Sequence, residues 1–129
     1  MSYKKITKTS SPQYKLQQWA HTDYEGFRVL DGRYLVAVGT GVGASVGEYI
    51  DVLLENGEHI PCIVGDIKAD GDTDATNMFT SNGCCLEFII DTSLLIQSVK
   101  SSGNCSNARI EWCSPVKVIN VLERKVQGT

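Results

Sequence analysis

The sequence lacks most of the features that assign a function class at sight. The opening MSYKKITKTSSPQYK contains no apolar run, whereas a secretory signal needs one of ~7–15 residues. The expectation is a chain made in the cytoplasm without a signal peptide, which reaches a cell wall only if a virion carries it or lysis releases it. No stretch approaches the ~20 apolar residues of a membrane span, so no membrane partner is expected. There is no C-x-x-C pair and no H-x-x-x-H pattern. A structural zinc site is therefore not expected, nor is any other cofactor. Positive charge is not in excess: 12 Lys and Arg stand against 15 Asp and Glu, a net charge of -3 at pH 7. A phosphate backbone needs a basic face, so nucleic acid is not an expected partner. Internal repeats and linkers are absent as well.

What is present fits one globular domain. The chain has 129 residues, 42% hydrophobic and 21% charged, enough for a single buried core. Residues 1–30 read as an N-terminal extension. Ser11-Pro12 is a cap and first turn for a short helix, PQYKLQQWA, with Tyr14, Leu16 and Trp19 as its packing residues. Lys4, Lys5 and Lys8 read as a solvated end, and His21-Thr22-Asp23 as a turn. From residue 31 to 125 the texture is β. Tyr34–Val38, Tyr49–Leu54, His59–Val64, Cys85–Ile90 and Val116–Leu122 are short apolar runs separated by Gly, Asn and Asp, the pattern of a small barrel or sandwich. Asn56-Gly57 between two of them signals a hairpin. Pro61 lacks an N–H, so its strand should lie at an edge or bulge there. Asp91-Thr92-Ser93 could start a helical turn through Leu94-Leu95.

Several motifs read as structure. Gly39-Thr40-Gly41-Val42-Gly43-Ala44 formally fits a dinucleotide fingerprint, but no helix can follow it before the next strand, so it reads as a flexible loop. Asp70-Gly71-Asp72-Thr73-Asp74 begins like a calcium loop, then places Ala75 where Gly belongs and Ser81 where Glu belongs. It reads as a solvated acidic turn. The five cysteines, Cys62, Cys84, Cys85, Cys105 and Cys113, have no regular spacing and read as reduced, small apolar side chains. His21 and His59 read as structural or surface residues. Asp66 stands out because it closes the apolar run Ile60–Gly65 and opens a carboxylate-rich loop running to Asp74. A carboxylate at the end of a buried strand loses water, which disfavours its charged form and suits a general acid. Gly65 allows close backbone approach, and Lys68 would share the face of Asp66.

The order of these motifs resembles the double-psi β-barrel group, which includes peptidoglycan lytic transglycosylases, RlpA-like domains and three-aspartate domains. The likeness runs from Tyr34 to Leu122. It rests on Val36-Ala37-Val38-Gly39, on Gly47–Val52 with Asn56-Gly57, on Ile63-Val64-Gly65-Asp66, on Ile90-Asp91-Thr92-Ser93 and on Val116–Val121. With SSPQYKLQQWA and TDYEGFR included, the chain also resembles small barrel proteins of Gram-positive gut bacteria and their bacteriophages. The resemblance implies a six-stranded double-psi β-barrel behind a short N-terminal helical segment. It implies a peptidoglycan-active domain that cleaves glycan strands as a lytic transglycosylase does, with Asp66 as the catalytic acid. Asp70, Asp72, Asp74, Asp91 and Lys68 would bind substrate. The group's D-x-G loop reads Asp66-Ile67-Lys68-Ala69-Asp70-Gly71 here, so its glycine is displaced to Gly71. The alternative is a non-catalytic barrel module for cell-wall carbohydrate binding or phage-tail assembly, with other phage or cell-wall proteins as partners.

Overall fold

The computed structural model describes residues 1–78, 86–93 and 116–129. It is mostly β, and the described residues form one α-helix, α1 (Pro12–Trp19), and seven strands: β1 (His21–Thr22), β2 (Arg28–Leu30), β3 (Arg33–Gly39), β4 (Glu48–Leu54), β5 (His59–Lys68), β6 (Leu86–Phe88) and β7 (Val116–Lys125). They form one sheet in the order β1-β2-β3-β5-β4-β7, and β6 also pairs with β3. Among the described residues this path is open, with β1 and β7 at its ends, and does not close into a barrel. No described helix is long and apolar enough to cross a membrane.

The helix forms where its cap predicts. Ser11 Oγ accepts the Tyr14 N–H at 3.1 Å, and Pro12 fills the first turn, where its missing N–H costs nothing. Leu16 and Gln17 are its buried residues. Trp19, expected to pack, is 47% exposed. Arg28 ties α1 to β2. Its guanidinium donates to Gln17 Oε1 at 2.9 Å, to the Gln17 carbonyl at 2.8 Å and to Thr22 Oγ1 at 2.8 Å, and it stacks on Tyr3. Burial pulls its pKa below the usual arginine value. The segment before Asp31 is woven into the same sheet: β2 pairs with β3, and Ser2 and Phe27 both bridge to Ile90.

The β4–β5 hairpin follows the Asn-Gly signal. Leu54 N–H donates to Glu58 O at 2.8 Å, Gly57 N–H donates to Leu54 O at 3.0 Å, and Gly57 has φ 90°. This is a three-residue loop whose last position needs the left-handed conformation. Pro61 departs from expectation, because β5 is a central strand between β3 and β4. Counting in twos from the Leu54–Glu58 bond, Asp51↔Pro61 is a non-hydrogen-bonded pair. The missing N–H thus points away from β4, toward a flank where the β3 ladder begins only at Cys62. The bulge lies four residues further on. Val36 pairs with Val64 and Ala37 with Asp66, which leaves Gly65 as the extra residue.

Strand β5 runs parallel to β3 and antiparallel to β4. The antiparallel strands β3 and β4 therefore flank β5, which is joined to β4 by the hairpin, a ψ arrangement. Both sheet faces carry apolar side chains. One face buries Val36, Val38, Ile50, Val52, Ile60, Cys62, Val64 and Phe88. The other buries Leu35, Tyr49, Ile63 and Ile89. Phe27, Tyr34 and Phe88 meet with ring centroids 5.2–5.8 Å apart. Cys62 is a free, fully buried thiol whose pKa burial pushes up. Cys84, Cys85, Cys105 and Cys113, with Ser81 and the turn at Leu94-Leu95, lie outside the described residues.

Candidate functional site

Asp66 sits in β5 and not in a loop, because β5 continues to Lys68. The bulge at Gly65 decides where it faces. In unbroken alternation Asp66 would follow Ile60, Cys62 and Val64 onto the larger apolar face. The extra residue reverses the alternation: Ile67 packs on that face, and Asp66 and Lys68 turn to the opposite one. A Cβ on Gly65 would meet Ile89 Cδ1 at 2.5 Å, so a larger residue at the bulge would push the end of the Ile89 side chain aside.

Helix α1 lies on that second face and brings Gln13 to Asp66. Gln13 Nε2 donates to Asp66 Oδ1 at 3.3 Å, and the Ile67 N–H donates to the same oxygen at 2.9 Å. Asp66 is half-buried, and among the described residues no cation lies at ion-pair distance from it. Lys68 does not cap it. Its side chain is 8% exposed, and Nζ instead meets Glu87 Oε2 at 3.3 Å. Ala37 of β3 is registered with both Asp66 and Glu87. The two carboxylate-bearing residues therefore flank one small side chain on the same sheet face. Glu87 Oε1 also meets the Met1 amino group at 3.1 Å. Burial alone would raise the Glu87 pKa, but the Met1 ammonium and Lys68 outweigh it and hold the carboxyl below its usual value. Sequence reading passed over Glu87. The signal was there, a single charge between Leu86 and Phe88 in an apolar run.

The other expected ligands are dispersed. Asp70 and Asp72 lie in one exposed turn of 3-10 helix. Asp70 Oδ1 accepts from Thr40 Oγ1 at 2.6 Å. Asp74 Oδ1 accepts from Thr76 Oγ1 at 2.6 Å and from the Thr76 N–H at 3.1 Å. Among the described residues no group of three or more His, Cys, Asp or Glu could hold a metal ion. The glycine-rich stretch finds its reason here. A Cβ on Gly39 or Gly41 would run into the backbone carbonyl of Asn77 or Thr76, so these glycines let the acidic loop lie directly on β3's end. Asp91 is placed elsewhere. Its Oδ1 accepts from Ser93 Oγ at 2.6 Å and Ser93 N–H at 3.0 Å, and Oδ2 accepts from Thr22 at 3.5 Å. The Ser93 hydroxyl bond lowers its pKa. The arrangement is a turn cap, and among the described residues Asp91 makes no bond to Asp66.

A second charged group gathers at the β3–β4 end. Asp51 accepts from Arg33 at 2.7 Å, and His59 Nε2 meets its other oxygen at 3.3 Å. Burial raises the Asp51 pKa, but Arg33 and His59 overcome this and leave it lowered. Tyr49 donates to Asp31 Oδ2 at 2.5 Å between the guanidinium groups of Arg33 and Arg124. The hydrogen bond to Asp31 raises the tyrosine pKa. The other polar atoms of Asp51 and Tyr49 are thus already engaged within the chain.

Comparison with protein-family models, with curated proteins and with solved structures returned no match.

Proposed function

We propose that this chain is a peptidoglycan-active domain of the double-psi type, in which Asp66 is the acid that cleaves glycan strands. The observation that carries the reading is the orientation of Asp66. The Gly65 bulge sets it half-buried on the second sheet face, and Lys68 is drawn away to Glu87. Its carboxyl is thus held by two N–H donors and free of any described cation. The ψ arrangement of β3, β5 and β4 supports the barrel reading, in which six strands would close around the larger core. In the reaction, Asp66 gives its proton to the glycosidic oxygen as the bond from the anomeric carbon breaks. It then takes the proton of the muramic acid 6-hydroxyl as that oxygen bonds to the same carbon. One carboxyl group suffices, unlike the paired scheme of glycoside hydrolases. Asp70, Asp72, Asp74 and Asp91 would serve the substrate only through the outer rim of the site, and Lys68, its side chain 8% exposed, only through Glu87. The protein would act at the cell wall, carried there by a virion or released by lysis.

The test is mass spectrometry of purified peptidoglycan digested with the protein, reading 1,6-anhydromuramyl ends. Asp66→Asn keeps the shape and removes the proton, so cleavage should fall by a factor on the order of 100. An equal rate in the variant removes Asp66 from the mechanism. One observation favours the non-catalytic alternative of a wall-binding or assembly module: Asp70 and Asp74 are engaged by Thr40 and Thr76. Intact glycan retained on the protein without new ends would select it.

A further inference from the structure

Helix α1 gives Gln13 a fixed support. Ser11 caps its first turn, Leu16 is fully buried, and Arg28 of β2 donates to Gln17 Oε1 at 2.9 Å and to the Gln17 carbonyl at 2.8 Å. Residues four apart share a helix face, so Gln13 lies on the face that Gln17 buries, whereas Tyr14 and Lys15 do not share it. From there Gln13 reaches Asp66. The charged groups beside Asp66 on the sheet are otherwise occupied: Glu87 holds both Lys68 and the Met1 amino group. Among the described residues, the Gln13 amide is the one side chain that donates to Asp66.

Both donors to Asp66 end on the same oxygen. The Ile67 N–H meets Oδ1 at 2.9 Å and Gln13 Nε2 meets it at 3.3 Å, and among the described residues none donates to Oδ2. A carboxyl oxygen has two lone pairs, and at Oδ1 both are engaged. The proton of the neutral acid therefore belongs on Oδ2. Resting on the reading of Asp66 as the acid, we propose that Gln13 is its positioning residue: it holds Oδ1 as the acceptor, so that Oδ2 alone gives and takes the proton. When the Oδ2 proton passes to the glycosidic oxygen, the bond from that oxygen to the anomeric carbon breaks and the carboxyl becomes a carboxylate. Hydrogen bonds to a charged oxygen are the stronger kind, so the Gln13 bond tightens as the charge develops. An interaction that gains strength in the transition state raises the rate and leaves substrate binding alone. Oδ2 then takes the 6-hydroxyl proton as that oxygen bonds to the anomeric carbon, and the acid is restored.

Initial rates on soluble glycan strands, read as 1,6-anhydromuramyl ends, test this with wild type, Asp66→Asn and Gln13→Leu. Gln13→Leu should lower kcat about 10-fold or more and leave KM level. Its thermal melt should match the wild type and show that α1 remains in place. A second comparison needs no activity. In Gln13→Glu two carboxyl groups meet at Oδ1, where both cannot ionise without repulsion. The urea midpoint of Gln13→Glu should therefore fall relative to Gln13→Glu/Asp66→Asn as pH rises from about 4 to 8. Curves of these two variants that run parallel overturn the proposal, because Gln13 would then not sit at Asp66. So does a Gln13→Leu variant with wild-type kcat, or one that raises KM alone, while Asp66→Asn is inactive; these outcomes leave Asp66 standing as the acid. A wild type that makes no new ends, or an Asp66→Asn variant as fast as wild type, removes the acid itself and the role of Gln13 with it.

Discussion

Gly65 does more to place Asp66 than any residue that touches it. A strand side chain has two faces to choose from, and one inserted residue exchanges them. Before the insertion Cys62 and Val64 are fully buried; after it a carboxylate takes a position that faces Gln13 of α1, and an ammonium group one that meets Glu87. Without the insertion Asp66 would point into the larger core as an unpaired charge, which is strongly unfavourable. A Cβ at this position would lie 2.5 Å from Ile89 Cδ1, so the end of that buried side chain would have to shift. Gly65→Ala should therefore destabilise the fold by about 1–3 kcal/mol through overpacking. The urea midpoint should drop with the slope of unfolding unchanged. On the proposed mechanism, glycan cleavage should fall together with it, because Asp66 moves with the bulge. A midpoint equal to the wild type would show that the backbone passes Ile89 with room to spare.

At the scale of elements, local signals were legible and long-range ones were not. The helix could be read from Ser11-Pro12 and the hairpin from Asn56-Gly57, because each is set by residues adjacent in sequence. The parallel pairing of β3 with β5 joins Tyr34 to Cys62, and no local pattern encodes a partner so far along the chain. β1 was read as a turn because its partner, β2, makes only two registered pairs with it. The bulge was hidden for a related reason: an extra residue becomes extra only against the strand it faces. The site inherits this division. Asp66 was visible as a charge ending an apolar run, but Gln13 and Glu87 are brought to its face by tertiary structure alone. The helix offers a direct check of what local sequence contributes. Ser11→Ala removes the acceptor for the Tyr14 N–H and should cost about 1 kcal/mol, as such caps do. Because α1 carries Gln13, loss of the cap should also loosen the Asp66 contact. Thermal melts compared with a Ser11→Asp variant, which keeps an acceptor, would separate capping from side-chain packing: only Ser11→Ala should melt lower.

Over the whole molecule, negative charge is arranged so that the fold depends on its ionisation. Glu48, Asp51, Glu87 and Asp91 all have pKa values below the ordinary carboxylate range, from different causes. Glu48 is lowered by the Ser45 hydroxyl and N–H, and Asp91 by Ser93. Asp51 and Glu87 are lowered by cations that outweigh burial. A carboxyl group whose folded pKa lies below its unfolded value binds fewer protons in the folded state. Its stabilisation is complete above the unfolded pKa, about 4, and is lost as pH falls through the depressed folded value. Stability should therefore be level with respect to these four groups from neutral pH down to about 5, and should fall steeply below about 4. Asp51 is the most informative of them, because its partner Arg33 is 19% exposed and also bonds the Ile50 carbonyl at 3.2 Å. Asp51→Asn leaves that guanidinium without its carboxylate and should cost about 1–3 kcal/mol at pH 7. The variant no longer titrates at this position, so its acid limb should be shallower and the two stability curves should converge as pH falls toward 3. Urea denaturation at a series of pH values checks both features. Parallel curves for wild type and Asp51→Asn would show that the Asp51 carboxylate contributes through its shape and not through its charge.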